Sequence, residues 1–110
     1  MGLIKTDFYI KKHLDMAHIF KVLGHPARIA ILEHLLKIDT CICGDLVDEI
    51  GLSQSTISQH LKELKNLDLI QGTIQGTSVC YCINFSKWNE ISGVTNEFFN
   101  NNPNTAANCC

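Results

Sequence analysis

The chain has 110 residues, 45% of them hydrophobic and 18% charged, with a formal net charge of −2. That composition suits one small globular domain with a modest core, to which a second copy would add buried surface. It argues against a chain held on nucleic acid by bulk positive charge, because Lys and Arg supply most of the non-specific attraction to phosphate. The longest strictly apolar run, Ile29 to Leu32, is too short to span a bilayer, and the opening residues lack a signal-peptide pattern, so a cytoplasmic chain without a membrane partner is expected. Charge is uneven. Residues 1–37 hold Lys5, Lys11, Lys12, Lys21, Arg28 and Lys37 against Asp7, Asp15 and Glu33, whereas residues 38–50 hold only Asp39, Asp45, Asp48 and Glu49. Binding to a polyanion should then be moderate, specific and salt-sensitive.

In chain order, about residues 8–22 read as a first helix, with Phe8, Ile10, Leu14, Ala17, Ile19 and Phe20 apolar. Gly24 and Pro26 end it, and Pro26 opens a second helix through about Leu36, where proline is tolerated in the first turn. Ile29, Leu32, Leu35 and Leu36 are its expected buried face. Thr40-Cys41-Ile42-Cys43 reads as a short extended piece, and Leu46 to Ile50 as an apolar-patterned helix before the turn Gly51-Leu52.

The next helix is built to be read from outside. Ser53 is a good N-cap, and Ile57, Leu61 and Leu64 recur at i, i+4 and i+7 as one narrow buried stripe. At about 100° per residue the opposite face carries Ser55, Gln59, Lys62 and Asn66, with Ser58 on its flank. An ordinary solvated face is rich in Glu and Lys; this one uses Ser, Gln and Thr, of which Ser and Thr are poor helix formers, and side chains of this kind read base edges and phosphates in a major groove. Gln54, Ser55, Thr56, Ser58, Gln59, His60 and Lys62 are therefore the candidate DNA-binding residues, with packing the competing role for His60. Helix, glycine turn and polar-faced helix make a helix-turn-helix.

Leu69 to Ile74 and Ser78 to Ile83 read as two strands around Gln75-Gly76-Thr77, a hairpin placed as a wing. A last helix, about Ser86 to Phe99, takes Ser86 as its cap and carries Trp88, Ile91, Val94, Phe98 and Phe99, which suits a dimer interface. The expected fold is mainly α with a small β-hairpin wing, in the order α-α-β-α-α-β-β-α. Residues 1–100 form the domain, and 101–110 form a flexible Asn-rich tail ending in Cys109-Cys110.

The segment Leu23-Gly24-His25-Pro26-Ala27-Arg28-Ile29-Ala30-Ile31-Leu32, followed by Gly51 to Leu64, a hairpin and a final helix, resembles the ArsR/SmtB family of bacterial metal- and metalloid-responsive repressors. The resemblance covers about residues 10–100. It implies a homodimeric winged helix-turn-helix whose first and last helices form the interface and whose Ser53–Lys65 helix enters the major groove of double-stranded operator DNA. It also implies repression that a ligand relieves. Arg28 matches an Arg of the family near the start of the second helix, where packing, ion pairing and phosphate contact are all open roles.

Six cysteines fall in three pairs, Cys41/Cys43, Cys80/Cys82 and Cys109/Cys110. In a cytoplasmic chain, paired thiols point to metal binding or redox sensing before structural disulfides. Cys41-Ile42-Cys43 resembles the Cys-x-Cys of arsenic-sensing family members, but its register is one residue off, with Gly44 in the expected place and Leu46 where a further Cys would follow. The wing can supply the missing thiols. In a winged helix the short strand pairs antiparallel with the last wing strand, and a register with Cys41 opposite Cys82 and Cys43 opposite Cys80 brings four sulfurs together. Three thiolates suit As(III) or Sb(III), and four suit Zn(II) or Cd(II). The competing role is that of a small buried hydrophobe. The vicinal pair Cys109-Cys110 is a further possible ligand. No His lies on the last helix, so the family's His and carboxylate Zn(II) site there is not carried over.

The leading function is a DNA-binding repressor released by As(III), Sb(III) or a related thiophilic ion. The alternatives are a repressor on the same scaffold that senses oxidants through cross-strand disulfides and, more remotely, a thiol metal buffer. No P-loop, Cys-x-x-Cys or catalytic triad pattern supports an enzyme.

Overall fold

The structure, a computed structural model, describes residues 8–38, 42–43, 50–75 and 78–102. Within these, α1 (Lys11–Leu23) and α2 (Pro26–Leu36) precede β1 (Ile42–Cys43), then come α3 (Gln54–Asn66), β2 (Ile70–Gln75), β3 (Ser78–Ile83) and α4 (Phe85–Asn100). The expected helix over Leu46–Ile50 lies outside the described residues except for Ile50, and so do Thr40, Cys41, the hairpin tip Gly76-Thr77 and Cys109-Cys110.

The three strands form one antiparallel sheet in the order β1-β3-β2. Ile70 lies opposite Ile83 and Gly72 opposite Tyr81, while on the other side of β3 Ile42 faces Tyr81 and Cys43 faces Cys80. Gly72 keeps the hairpin close. A Cβ built there would lie 3.3 Å from the Tyr81 ring and 3.3 Å from Val79, so a larger side chain would have to push the wing residues aside.

The core joins the helices to the base of the sheet. Ile19 and Val22 of α1, Ile31, Leu32 and Leu35 of α2, Ile57, Leu61 and Leu64 of α3, Ile70, Ile83 and Ile91 form one buried cluster, with Trp88 and Tyr81 packed against it. The expected stripe of α3 is thus the buried one. On α2 the expectation is corrected: Ala27, Ile31, Leu32 and Leu35 turn inward, while Ile29 and Leu36 remain 49% and 40% exposed. That helix is apolar nearly all round, so periodicity could not choose its inner face.

The helix ends follow side-chain chemistry. His25 caps α2 with its Nδ1, which accepts from the Ala27 N–H at 3.0 Å. Ser53 caps α3, its Oγ accepting from the Thr56 N–H at 3.4 Å. At α4 the cap is Asn84, whose Oδ1 accepts from the Lys87 N–H at 3.5 Å, rather than Ser86. The C-terminus of α3 closes in a Schellman arrangement, with the Leu69 N–H donating to Leu64 O at 3.2 Å and the Asp68 N–H to Lys65 O at 2.9 Å. Leu64 and Leu69 are both buried beneath it.

This closure holds Asp68 at φ 64, in the left-handed region. A side chain that can bond locally tolerates that conformation better than an aliphatic one. Asp68→Ala should therefore cost about 1 kcal/mol, whereas Asp68→Gly should hold or raise Tm. Thermal unfolding of the two variants at one fixed protein concentration checks this.

Candidate nucleic-acid interface and thiol pair

The conformation of α3 follows from its two ends and one stripe. Gly51, at φ 78, makes the turn before it, and the Ser53 cap fixes where the helix starts. With Ile57, Leu61 and Leu64 buried, the opposite side must face out. Gln54, Ser55, Thr56, Ser58, Gln59, Lys62 and Asn66 are all exposed. The hydroxyls of Ser53, Ser55 and Thr56 form a small cluster, Ser53 Oγ lying 3.3 Å from Ser55 Oγ and 2.9 Å from Thr56 Oγ1. Short hydroxyls are thus gathered at the positive end of the helix, and Gln59 and Lys62 continue the face toward its C-terminus.

His60 is placed differently from the other candidates. It is 7% exposed and lies among the inward residues of α3. The sequence carried a signal for this, since three residues after Ile57 at about 100° each is 60° from the stripe's centre line, within the apolar arc. Its Nδ1 accepts from Arg28 Nε at 3.1 Å, and its ring lies 4.4 Å from that of His25 at an angle of 48°. Arg28 also donates from Nη1 to Val22 O at 3.0 Å. Of the roles open to Arg28, a structural one is what these bonds supply. Burial first, then repulsion from His25 when that ring takes up a proton, and from the Arg28 guanidinium, holds the His60 imidazole below its ordinary value.

The strand pairing has the expected register as far as the described residues reach. Cys43 of β1 and Cys80 of β3 are direct cross-strand partners. Cys80 is fully buried and disulfide-bonded. Cys82 is a free, half-buried cysteine, and Gln71 Nε2 donates to its Sγ at 3.8 Å. Among the described residues no three His, Cys, Asp or Glu side chains come together in a way that could hold a metal ion. A thiophilic ion does not fit this donor set as it stands, because a sulfur in a disulfide is not a thiolate.

With the geometry in hand, comparison with known proteins decides the family. The family model for bacterial regulatory proteins of the arsR family matches residues 25–71. The HTH-type transcriptional regulator MJ1325 of Methanocaldococcus jannaschii is 34% identical over 89 residues, covering 80% of this chain and 99% of that protein. The chain belongs to the ArsR family. The arsenical resistance operon repressor of Staphylococcus xylosus is 34% identical over 70 residues, 64% of this chain and 66% of that protein. The crystal structure of Rv0081 of Mycobacterium tuberculosis superposes with a TM-score of 0.62 at 32% identity, over 80% of this chain and 88% of that one. The protein is thus a DNA-binding transcriptional regulator of winged helix-turn-helix fold rather than an enzyme, in a family whose members bind operator DNA, typically as dimers. Among the described residues no helix is long and apolar enough to cross a membrane.

The two states of the wing cysteines give a direct chemical readout. In the folded protein Cys82 should take up an alkylating reagent, while Cys80 should react only after reduction and unfolding. Mass spectrometry of peptides labelled before and after reduction distinguishes them.

Proposed function

We propose that this ArsR-family protein is a repressor that reads its operator with the outer face of α3, through Ser55, Ser58, Gln59 and Lys62, with Gln54 and Thr56 at the helix start. The observation that carries this reading is the exposure of every one of these side chains on the helix whose opposite stripe is fully packed. Gln and Ser can pair with base edges, and Lys62 with a phosphate. For the second subunit, the exposed apolar surface of α1, α2 and α4 is the supporting feature. Phe20 packs its ring 6.5 Å from Phe98 and 6.1 Å from Phe99, and Phe98 and Phe99 stay 54% and 62% exposed. Beside them a groove of about 450 Å3 is lined by Ile29, Leu36, Trp88 and Ile91. A homodimer over this face would cover them and set two recognition helices about one DNA turn apart.

Gln59→Ala and Ser55→Ala should each weaken operator binding by about 1–3 kcal/mol and leave non-specific binding nearly unchanged. Lys62→Ala should weaken both and lower the salt slope by about one. Operator affinity that stays the same in all three variants, measured on a site selected from random sequence, would remove α3 from the reading role.

For the inducer we propose As(III) or Sb(III), with Zn(II) and Cd(II) as the tetrathiolate counterparts, acting on the reduced thiols of Cys41, Cys43, Cys80 and Cys82, with Cys109 and Cys110 as auxiliary ligands. The support is the Cys43–Cys80 backbone register and the similarity to an arsenical resistance operon repressor. A second reading is favoured by the disulfide at Cys80. In it, two thiols of β1 and β3 give up two protons and two electrons to a peroxide or a small disulfide and form one S–S bond. Either event releases DNA only to the extent that the modified protein binds the operator less well than the unmodified one.

One titration separates the two readings. Under reducing conditions arsenite should release operator from the parent but not from a Cys41→Ser/Cys43→Ser variant or a Cys80→Ala/Cys82→Ser variant. Release by peroxide without arsenite, reversed by dithiothreitol, supports the redox reading instead. A normal arsenite response from the Cys80/Cys82 variant would take the wing out of the sensor.

A further inference from the structure

The contact between α2 and α3 has a chemistry of its own. Arg28 ties three elements together, donating from Nη1 to Val22 O in the last turn of α1 and from Nε to His60 Nδ1 in the middle of α3, while its own backbone belongs to the first turn of α2. His25, the cap of that same turn, lays its ring against His60 at 4.4 Å. Both imidazoles use Nδ1 as an acceptor, His25 from the Ala27 N–H and His60 from Arg28. An Nδ1 that accepts carries no proton, so the hydrogen bonds assign the neutral Nε2–H tautomer to both rings.

A proton on His60 would turn Nδ1 into a donor aimed at the donor Nε of Arg28, with two cations 3.1 Å apart. A proton on His25 would remove the α2 cap and place a positive charge at a helix N-terminus, where the dipole opposes it. Among the described residues the other ionisable groups around this cleft are His18 and Lys21 of α1 and Glu63 of α3. Glu63 favours an imidazolium; His18, when charged, and Lys21 oppose one. For His60 the net direction is downward, set by burial and then by His25 and Arg28.

We propose that Arg28 and His25 are positioning residues for operator reading, holding α3 in register through neutral His60, so that specific DNA binding weakens as the solution is acidified. This rests on α3 being the reading helix. Gln59 is the immediate neighbour of His60 on that helix, so a change in how His60 seats on α2 moves the outer face directly. A group whose proton affinity is depressed in the competent state carries no penalty above its ordinary value of 6.5, an increasing one as the pH falls below it, and a constant one below the depressed value. For one proton per protomer the limit is a tenfold loss per pH unit within that window. Protonation of histidines ordinarily does the reverse, because added positive charge strengthens binding to phosphate. The expected signature is therefore operator affinity that falls between pH 7.5 and 5.5 while affinity for unrelated DNA holds or rises.

The experiment measures both affinities by fluorescence anisotropy across this range at constant salt. Circular dichroism at each pH confirms that the protein is folded. His60→Asn keeps an acceptor near the Nδ1 position but does not titrate, so whatever its affinity at pH 7.5, its ratio between pH 7.5 and 5.5 should collapse toward one. His25→Asn, which keeps a good capping side chain, should flatten the profile in part, and His18→Asn should leave the parent slope. Should His60→Asn fail to fold, titration calorimetry of the parent at pH 6 in buffers of different ionisation enthalpy gives the same information, since selection of neutral His60 by the operator requires net proton release on binding. Parent operator affinity that rises on acidification, a His60→Asn profile with the parent's slope, or proton uptake on binding would each overturn the proposal. Failure of the parent to bind any selected operator at pH 7.5 would overturn the reading role of α3 itself, a distinct result.

Discussion

The packing of Ile57, Leu61 and Leu64 against α2 and the base of the sheet is the interaction on which the rest of the molecule depends. These side chains are 1%, 5% and 0% exposed, so the rotation of α3 about its axis is fixed by burial. Once that rotation is set, Ser55, Gln59 and Lys62 point outward without any further instruction. A hydrophobic stripe in a small core thereby specifies which polar atoms the proposed reading face presents. Burial is non-directional, however, and fixes rotation better than it fixes sliding along the helix axis. Arg28 supplies the directional part, because a guanidinium hydrogen-bonded to His60 Nδ1 and Val22 O has little freedom to follow a shifted helix.

The sheet places Cys80 and Cys82 on the strand that links the rest of the wing to the core. β3 is the central strand, bonded to β1 on one side and to β2 on the other, and only Asn84 separates its end from the start of α4. A change at Cys80 therefore acts on a strand that touches the short β1 arm, the hairpin and the start of the last helix. Ile83 of the same strand is in the core cluster with Leu61 and Leu64. Between β3 and α3 the connection therefore runs through packed side chains of one cluster.

Much of this was legible in the sequence because the signals were local and strong. The α3 stripe, the Ser53 cap, the Gly51 turn, the strand Ser78–Ile83 and the start of α2 at Pro26 all rest on residues with few alternatives. The family resemblance was legible for the same reason, in the order of these segments. The misplaced features are those in which several residues could have served. Ser86 and Asn84 both cap well, and the winner is the one whose carbonyl also accepts the first helical bond, from Trp88 N at 2.9 Å. On α2, Ile29 and Leu36 are as apolar as Ile31 and Leu35, and only the positions of α1, α3 and the sheet decide which pair turns inward. Asp68 in a left-handed turn and the Arg28–His60 contact, 32 residues apart in sequence, needed the tertiary structure.

The apolar residues left outside by α2, Ile29 and Leu36, line one groove with Phe20 of α1 and Phe99 of α4. With a net charge of −2, one protomer has little general attraction for DNA, and specific contacts from a single short helix bring only a few bonds. In the proposed homodimer two such helices would bind as one unit, so the second set of contacts would form without a second loss of translational freedom. Weak charge attraction would then be an advantage in that dimer, because affinity would depend on both half-sites matching in sequence and spacing, and a modest change in the geometry of either α3 would be felt in full.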